Sequence, residues 1–241
     1  MRIGTVPYLN SVPLVKGLEC EIYKAPPSEL VRIAKPDDII LAPVVAPFLD
    51  PSLYMLEGVG IGSFGPVETV KLFFNKPGIT IDNLKTISLD TESTTSVALL
   101  KVLLKYKYQK AIQEVSHTSC DAYLMIGDKV FEQNVPGTFC LDLGQEWTEW
   151  TDLPFVYACW MTQNRAIGEE WKTKLVEQAA NNLENLEKLA EEIPYGRREK
   201  ILKYWRQLRY EVGPPQKKAI AVFQQHWANL EKKPVLPLNW I

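Results

Sequence analysis

TISLDTESTTSVALLKVLL, residues 86–104, packs a short apolar run, a cluster of hydroxyls and a nearly unbroken apolar segment into nineteen positions. The run Thr86–Leu89 has the length and composition of a buried strand, and Ser93, Thr94 and Thr95 are helix N-cap types ahead of a helix expected over Thr94–Leu104. A strand that delivers the chain straight into a helix start is the repeating unit of an α/β fold. Working outward, further apolar runs stand at Arg2–Val6, Ile39–Ala42, Val70–Phe74, Ala122–Ile126, Phe139–Asp142 and Phe155–Trp160. Helical periods separate them at Pro13–Gly17, Ser28–Ile33 and Gly168–Ile193. This alternation predicts mixed sheets flanked by helices.

The order of elements predicts two lobes with a cleft between them, one lobe built from both ends of the chain. The expected division is residues 1–74 with 160–241 for the first lobe and 75–159 for the second. The runs near 70–76 and 155–161 are the candidate crossings. Junctions of this kind are preferred places for small ligands.

Composition narrows the function classes. Hydrophobic residues make up 46% of the 241 and charged residues 23%, enough for a sizeable core. Lys and Arg number 27 against 29 Asp and Glu, so no global positive field favours nucleic acid or an anionic membrane. Cys20, Cys120, Cys140 and Cys159 form no CxxC pair, and His117 and His226 lack ligand spacing, so neither a metal nor a disulfide framework is expected. No apolar h-region or membrane-length apolar run is present, which predicts a cytoplasmic protein.

Four constellations carry polar chemistry. PYLNSVPL (7–14) places Asn10 and Ser11 at the carboxyl end of the opening strand, where open α/β sheets bind ligands; the same pair also serves a plain helix cap and turn. The Ser93–Thr95 helix start offers free N–H groups and hydroxyls to an anion, and three hydroxyls exceed the need of one cap. IGSFGPVETV (61–70) holds Ser63 and Gly65 in a tight turn. DLGQEWTEWTDLPFVYACW (142–160) brings Gly144 and Trp147 ahead of a strand, with Trp147 open to both packing and cleft roles. GxSxG, P-loop and HExxH patterns are absent, so an enzyme built on this chain relies on positioning, or on a group of its own substrate.

PYLNSVPL, GSFGPVETV, LDTESTTSVALLKVLL, DAYLMIGD and DLGQEWTEWTDLPFVYACW, in this order and spacing, resemble the chorismate dehydratases of the futalosine route to menaquinone. The resemblance implies a fold like that of type II periplasmic-binding proteins. It further implies a cofactor-free lyase that removes water from chorismate to give 3-[(1-carboxyvinyl)oxy]benzoate, with the substrate's enolpyruvyl carboxylate as a plausible base. It assigns catalytic roles to Asn10 and Ser63 and substrate binding to Ser11, Gly65, Ser93, Thr94, Thr95, Gly144 and Trp147. Two positions depart from the family: Thr94 stands for its arginine, and Asp152 for its glycine. Arg165 and Lys71 are the cations whose approach to the cleft the sequence leaves open. A non-catalytic binding protein or sensor for a small carboxylate is the competing reading, because the fold alone serves both.

Overall fold

The computed structural model describes residues 1–241 apart from Thr91, 117–119 and 132–138, and describes Tyr195 and Gly196 by their backbone alone. His117 and Thr91, discussed above, therefore lie outside the described residues. The chain begins with β1 (Arg2–Thr5), α1 (Val12–Val15), β2 (Glu21–Lys24), α2 (Pro27–Ile33), β3 (Ile39–Pro43), α3 (Ala46–Leu49) and β4 (Tyr54–Ser63). It then forms β5 (Val70–Phe74), β6 (Thr86–Ser88), α4 (Thr94–Val102), β7 (Gln113–Glu114), β8 (Ala122–Ile126), β9 (Cys140–Asp142) and α5 (Leu143–Thr151). The last third supplies β10 (Phe155–Thr162), α6 (Arg165–Glu184), α7 (Leu186–Ala190), α8 (Tyr195–Gln207), β11 (Arg209–Val212), α9 (Pro214–Glu231) and β12 (Asn239–Trp240).

Among the described residues these strands make two mixed sheets, one per lobe. The first runs β11-β4-β10-β3-β1-β2 with β12 beside β4, and the second runs β7-β6-β8-β5-β9. In the first, β1 is parallel to β2 and β3 while β10 is antiparallel to β3 and β4. The expected α/β architecture with helix-flanked mixed sheets is therefore present. The expected division of the chain is displaced. β5 pairs with β8 and β9 inside the second sheet, and all of β10 pairs inside the first. Neither strand crosses; the chain changes lobe in the segments 64–69 and 152–154. The reason is hydrogen bonding: a strand of five to eight residues satisfies its backbone within one sheet, and the irregular connections carry the crossing.

β4 runs ten residues through the middle of the first sheet with glycine at 58, 60 and 62. A Cβ on Gly60 would stand 2.7 Å from the Ala158 carbonyl and 2.8 Å from a Val212 methyl, so β10 and β11 approach this strand closely only because side chains are missing. The helix expected over Gly168–Ile193 starts at Arg165, capped by Asn164, whose side chain accepts from the backbone N–H groups of Ala166 and Ile167. It breaks at Asn185, whose φ of −119° and ψ of 35° leave the helix while its amide donates to the Asn181 carbonyl at 2.7 Å. An Asn side chain competing for backbone carbonyls disfavours helix continuation. Asp152 ends α5 in the left-handed region, φ 54°, a conformation that asparagine and aspartate tolerate better than most residues. The departure from glycine there is thus absorbed locally.

Glu57, in the middle of β4, receives Lys172 of α6 at 2.8 Å and Lys217 of α9. These two ammonium groups pull its pKa from 4.5 to about 2. A depressed carboxyl contributes stability that is present above its ordinary pKa and is lost as pH falls toward the folded value. Its side chain is 39% exposed, which limits the contribution to about 1 kcal/mol or less. Glu57→Gln is expected to lower the melting temperature by about 2 °C at pH 7; repeated between pH 4.5 and pH 3, the difference from wild type shrinks.

Candidate functional site

The loop after β1 is held by its carbonyls. The Trp205 indole donates to the Leu9 carbonyl at 2.8 Å and the Tyr210 hydroxyl to the Asn10 carbonyl at 3.1 Å. Both partners are buried. Fixed in this way, the loop sends the Asn10 side chain into a cavity between the lobes, close to the Tyr204 hydroxyl, with Oδ1 buried and without a hydrogen-bond partner.

From the second lobe, α4 points its N-terminus at the same cavity. Ser93 caps it, accepting from the Ser96 backbone N–H at 3.2 Å and donating to the Ser96 hydroxyl at 2.9 Å. The cap uses those two hydroxyls and leaves a third: Thr95 Oγ1 is buried, lines the cavity and has no partner. Tyr157, on β10, contributes another buried and unpartnered hydroxyl to the wall. Three groups from two lobes thus meet, each in the condition that ordinarily costs about 1–3 kcal/mol. The surrounding lining is apolar, with Val6, Leu41, Ile61, Val70 and Ile126. No Asp, Glu, His, Lys, Arg or Cys lines the cavity among the described residues.

The cleft is shut. Its cavity volume is about 50 Å³, room for a water or two, whereas ligand sites span about 300–1,000 Å³. Two bridges join the lobes nearby: the Tyr8 hydroxyl donates to Glu92 at 2.9 Å, and the Leu9 backbone N–H donates to both carboxylate oxygens of Asp128 at 3.0 and 3.2 Å. Burial, then the Glu92 hydrogen bond and the charges of Asp90 and Asp128, push the Tyr8 phenol far above its ordinary pKa. The bridge is therefore a neutral phenol donating to a carboxylate.

The structure separates the residues that the sequence singled out. Asn10, Ser93 and Thr95 line the cavity. Ser63 lies just outside, its hydroxyl buried and unpartnered near that of Tyr157. Gly144 abuts both: a Cβ there would stand 2.6 Å from Ser63 Oγ, 2.8 Å from Tyr157 OH and 2.8 Å from the Gly65 carbonyl. Four others stand apart from the cavity lining. Ser11 turns away, donating to the carbonyls of Val6 and Tyr8 at 2.9 and 2.8 Å, because the turn after β1 needs those acceptors closed. Thr94 is exposed, one helical position away from the inward-facing Thr95. Gly65, φ 90°, shapes the crossing and donates its N–H to Thr148 at 2.9 Å. Trp147 is a core residue, fully buried against Phe155 and Phe223 with its indole donating to the Pro154 carbonyl at 3.0 Å.

Neither candidate cation replaces the arginine. Arg165 is exposed and paired with Glu169 at 2.8 Å, and Lys71 pairs with Glu68 at 2.8 Å beside a separate hollow that also takes Lys200 and Lys203. Tyr8, Thr69, Ser96 and Tyr157 line the cavity without having been singled out. Tyr8 stands inside the quoted PYLNSVPL; Tyr157 carries a hydroxyl between the apolar Phe155–Val156 and Ala158 of β10, the one sequence signal it offers.

Comparison with known proteins decides the affiliation. The family described as menaquinone biosynthesis matches residues 1–229. The chain belongs to this family. A curated relative, the chorismate dehydratase of Thermus thermophilus, is 31% identical over 187 residues, covering 66% of this chain and 68% of the relative. The menaquinone-biosynthesis chain also superimposes on a crystal structure of a protein from Archaeoglobus fulgidus with a TM-score of 0.72 at 17% identity, covering 96% and 97% of the two chains. On the alkanesulfonate-binding protein SsuA of Xanthomonas axonopodis pv. citri, bound to MOPS, the TM-score is 0.60 at 16% identity, covering 98% and 94%. The fold is that of the two-lobed periplasmic-binding proteins. No described helix of this family member is long and apolar enough to cross a membrane.

Gly144 gives a test of how tightly the wall is built. Gly144→Ala places a methyl against a backbone carbonyl and two hydroxyls, and overpacking of this kind costs about 1–3 kcal/mol. The expected outcome is an earlier denaturant midpoint with an unchanged m-value.

Proposed function

We propose that this chain is a carbon–oxygen lyase that dehydrates chorismate to 3-[(1-carboxyvinyl)oxy]benzoate, in the cytoplasm and on the futalosine branch of menaquinone synthesis. The observation that carries the reading is the convergence of Asn10 Oδ1 and Thr95 Oγ1, buried and unpaired, on one apolar cavity from opposite lobes. Family membership and the Thermus thermophilus relative supply the reaction class.

In this reading the closed cleft would hold an anionic guest by neutral groups. One carboxylate lies at the N-terminus of α4, where free N–H groups, the helix dipole and Thr95 Oγ1 favour negative charge. Asn10 Oδ1 accepts from the ring hydroxyl that departs and orients it. The reaction breaks one ring C–H bond and the C–O bond of that hydroxyl; the electron pair of the C–H bond completes the aromatic ring, and proton and hydroxide leave as water. The described lining offers no ionisable base of ordinary pKa, which supports removal of the proton by the substrate's enolpyruvyl carboxylate. Closure by Tyr8 and Leu9 excludes water and strengthens each of these hydrogen bonds. Ser63, beside Tyr157, would act through that wall.

Purified protein incubated with chorismate is expected to produce an aromatic absorbance and a product lighter by one water. Asn10→Leu, which removes the orienting amide at similar volume, is expected to lower turnover by about 100-fold or more while its melting temperature stays within a few degrees of wild type. Tight binding of chorismate by the wild type without turnover would overturn the lyase reading in favour of a binding protein.

A further inference from the structure

We propose that Tyr157 is a specificity-determining residue, the first lobe's hydrogen-bond donor to an oxyanion of the ligand, set opposite Thr95 so that a molecule with two separated acidic ends bridges the lobes. The inference deepens the reading of the cleft as a chorismate site and rests on it. Tyr157 stands on β10, in the sheet of the first lobe, and Thr95 on α4, in the second. Both hydroxyls are buried at the wall of one cavity and neither has a partner.

The phenol has been given a built surround. Gly144 leaves the space beside it open, where any larger residue would stand 2.8 Å from the hydroxyl. Ser63 Oγ, also unpartnered, lies within 2.6 Å of that same Cβ position, so it is placed to steer the phenol proton. Burial and the nearby charge of Asp142 hold the phenol well above its ordinary pKa, which keeps it a proton-bearing donor. Apart from Ser63 Oγ, itself without a partner of full geometry, the Tyr157 hydroxyl meets no protein acceptor, and an under-satisfied buried hydroxyl destabilises the empty protein. An acceptor that arrives with the ligand would complete its hydrogen bonding. A site built to bond such an acceptor discriminates against molecules that lack it.

The two roles separate by sign. Tyr157→Phe removes the orphan hydroxyl and keeps the ring, so the free protein is expected to melt at the same temperature as wild type or slightly above it. Chorismate binding by isothermal titration is expected to weaken by about 10- to 100-fold, the range for a hydrogen bond to a charged group. Benzoate, whose single carboxylate needs only the Thr95 end, is expected to bind both forms alike, so the preference for chorismate over benzoate collapses in the variant. Unchanged chorismate affinity in Tyr157→Phe overturns the inference while leaving the chorismate site standing. A loss of affinity accompanied by a fall in melting temperature also overturns it, by showing a structural role. A wild type that does not bind chorismate removes the site reading and this inference together.

Discussion

The packing of Trp147 on Phe155 and Phe223 is the contact on which the two-lobed arrangement depends. Trp147 lies on α5, the last helix of the second lobe; Phe155 opens β10, the first returning strand of the other lobe; Phe223 sits on α9, which packs over β10. The ring centroids are 5.3, 5.8 and 4.9 Å apart for the three pairs, in the edge-to-face range that adds to simple area burial. The chain makes its return between lobes at residues 152–154, directly beside this cluster, and the Trp147 indole closes on the Pro154 carbonyl. Close by, Asp142 ties the outgoing connection to α5 by accepting from the N–H groups of Val67, Glu68, Gly144 and Gln145. Apolar packing and one carboxylate thus hold both connections together.

With the connections pinned, the polar groups of the cleft are free to be poorly satisfied. Asn10 Oδ1, Thr95 Oγ1 and the Tyr157 hydroxyl are incompletely satisfied in the empty protein, and the cost is borne by the core beneath. This inverts the logic of a cationic pocket. A lysine or arginine in the lining would attract anions indiscriminately and would need a counter-ion when empty, whereas neutral polar groups in a narrow cavity would favour a molecule whose polar atoms match their spacing.

Much of this was legible in the sequence. β3, β5, β8 and β10 announce themselves as short apolar runs, and the hydroxyl cluster ahead of VALLKVLL marks the start of α4 within a residue. β4 is hidden because glycine at 58, 60 and 62 reads as turn chemistry, when the real constraint is close approach by neighbouring strands. The lobe boundary slipped because an apolar strand looks the same in either sheet. In the site, Asn10 and Thr95 were visible as polar residues where apolar runs end. Thr94 and Thr95 could not be told apart without the helix phase, which rotates successive side chains by about 100°. Tyr157 was invisible because a tyrosine amid Phe, Val and Trp reads as packing, and Trp147 misled in the opposite direction for the same reason.

The hydrogen bonds of Tyr8 and Leu9 tie the two lobes together across the cleft. For a ligand that had to part the lobes, breaking both bridges to Glu92 and Asp128 would precede entry, and the measured dissociation constant would be the intrinsic one divided by the fraction of time spent ajar. Capture of such a ligand would be governed by how often the bridges break rather than by diffusion.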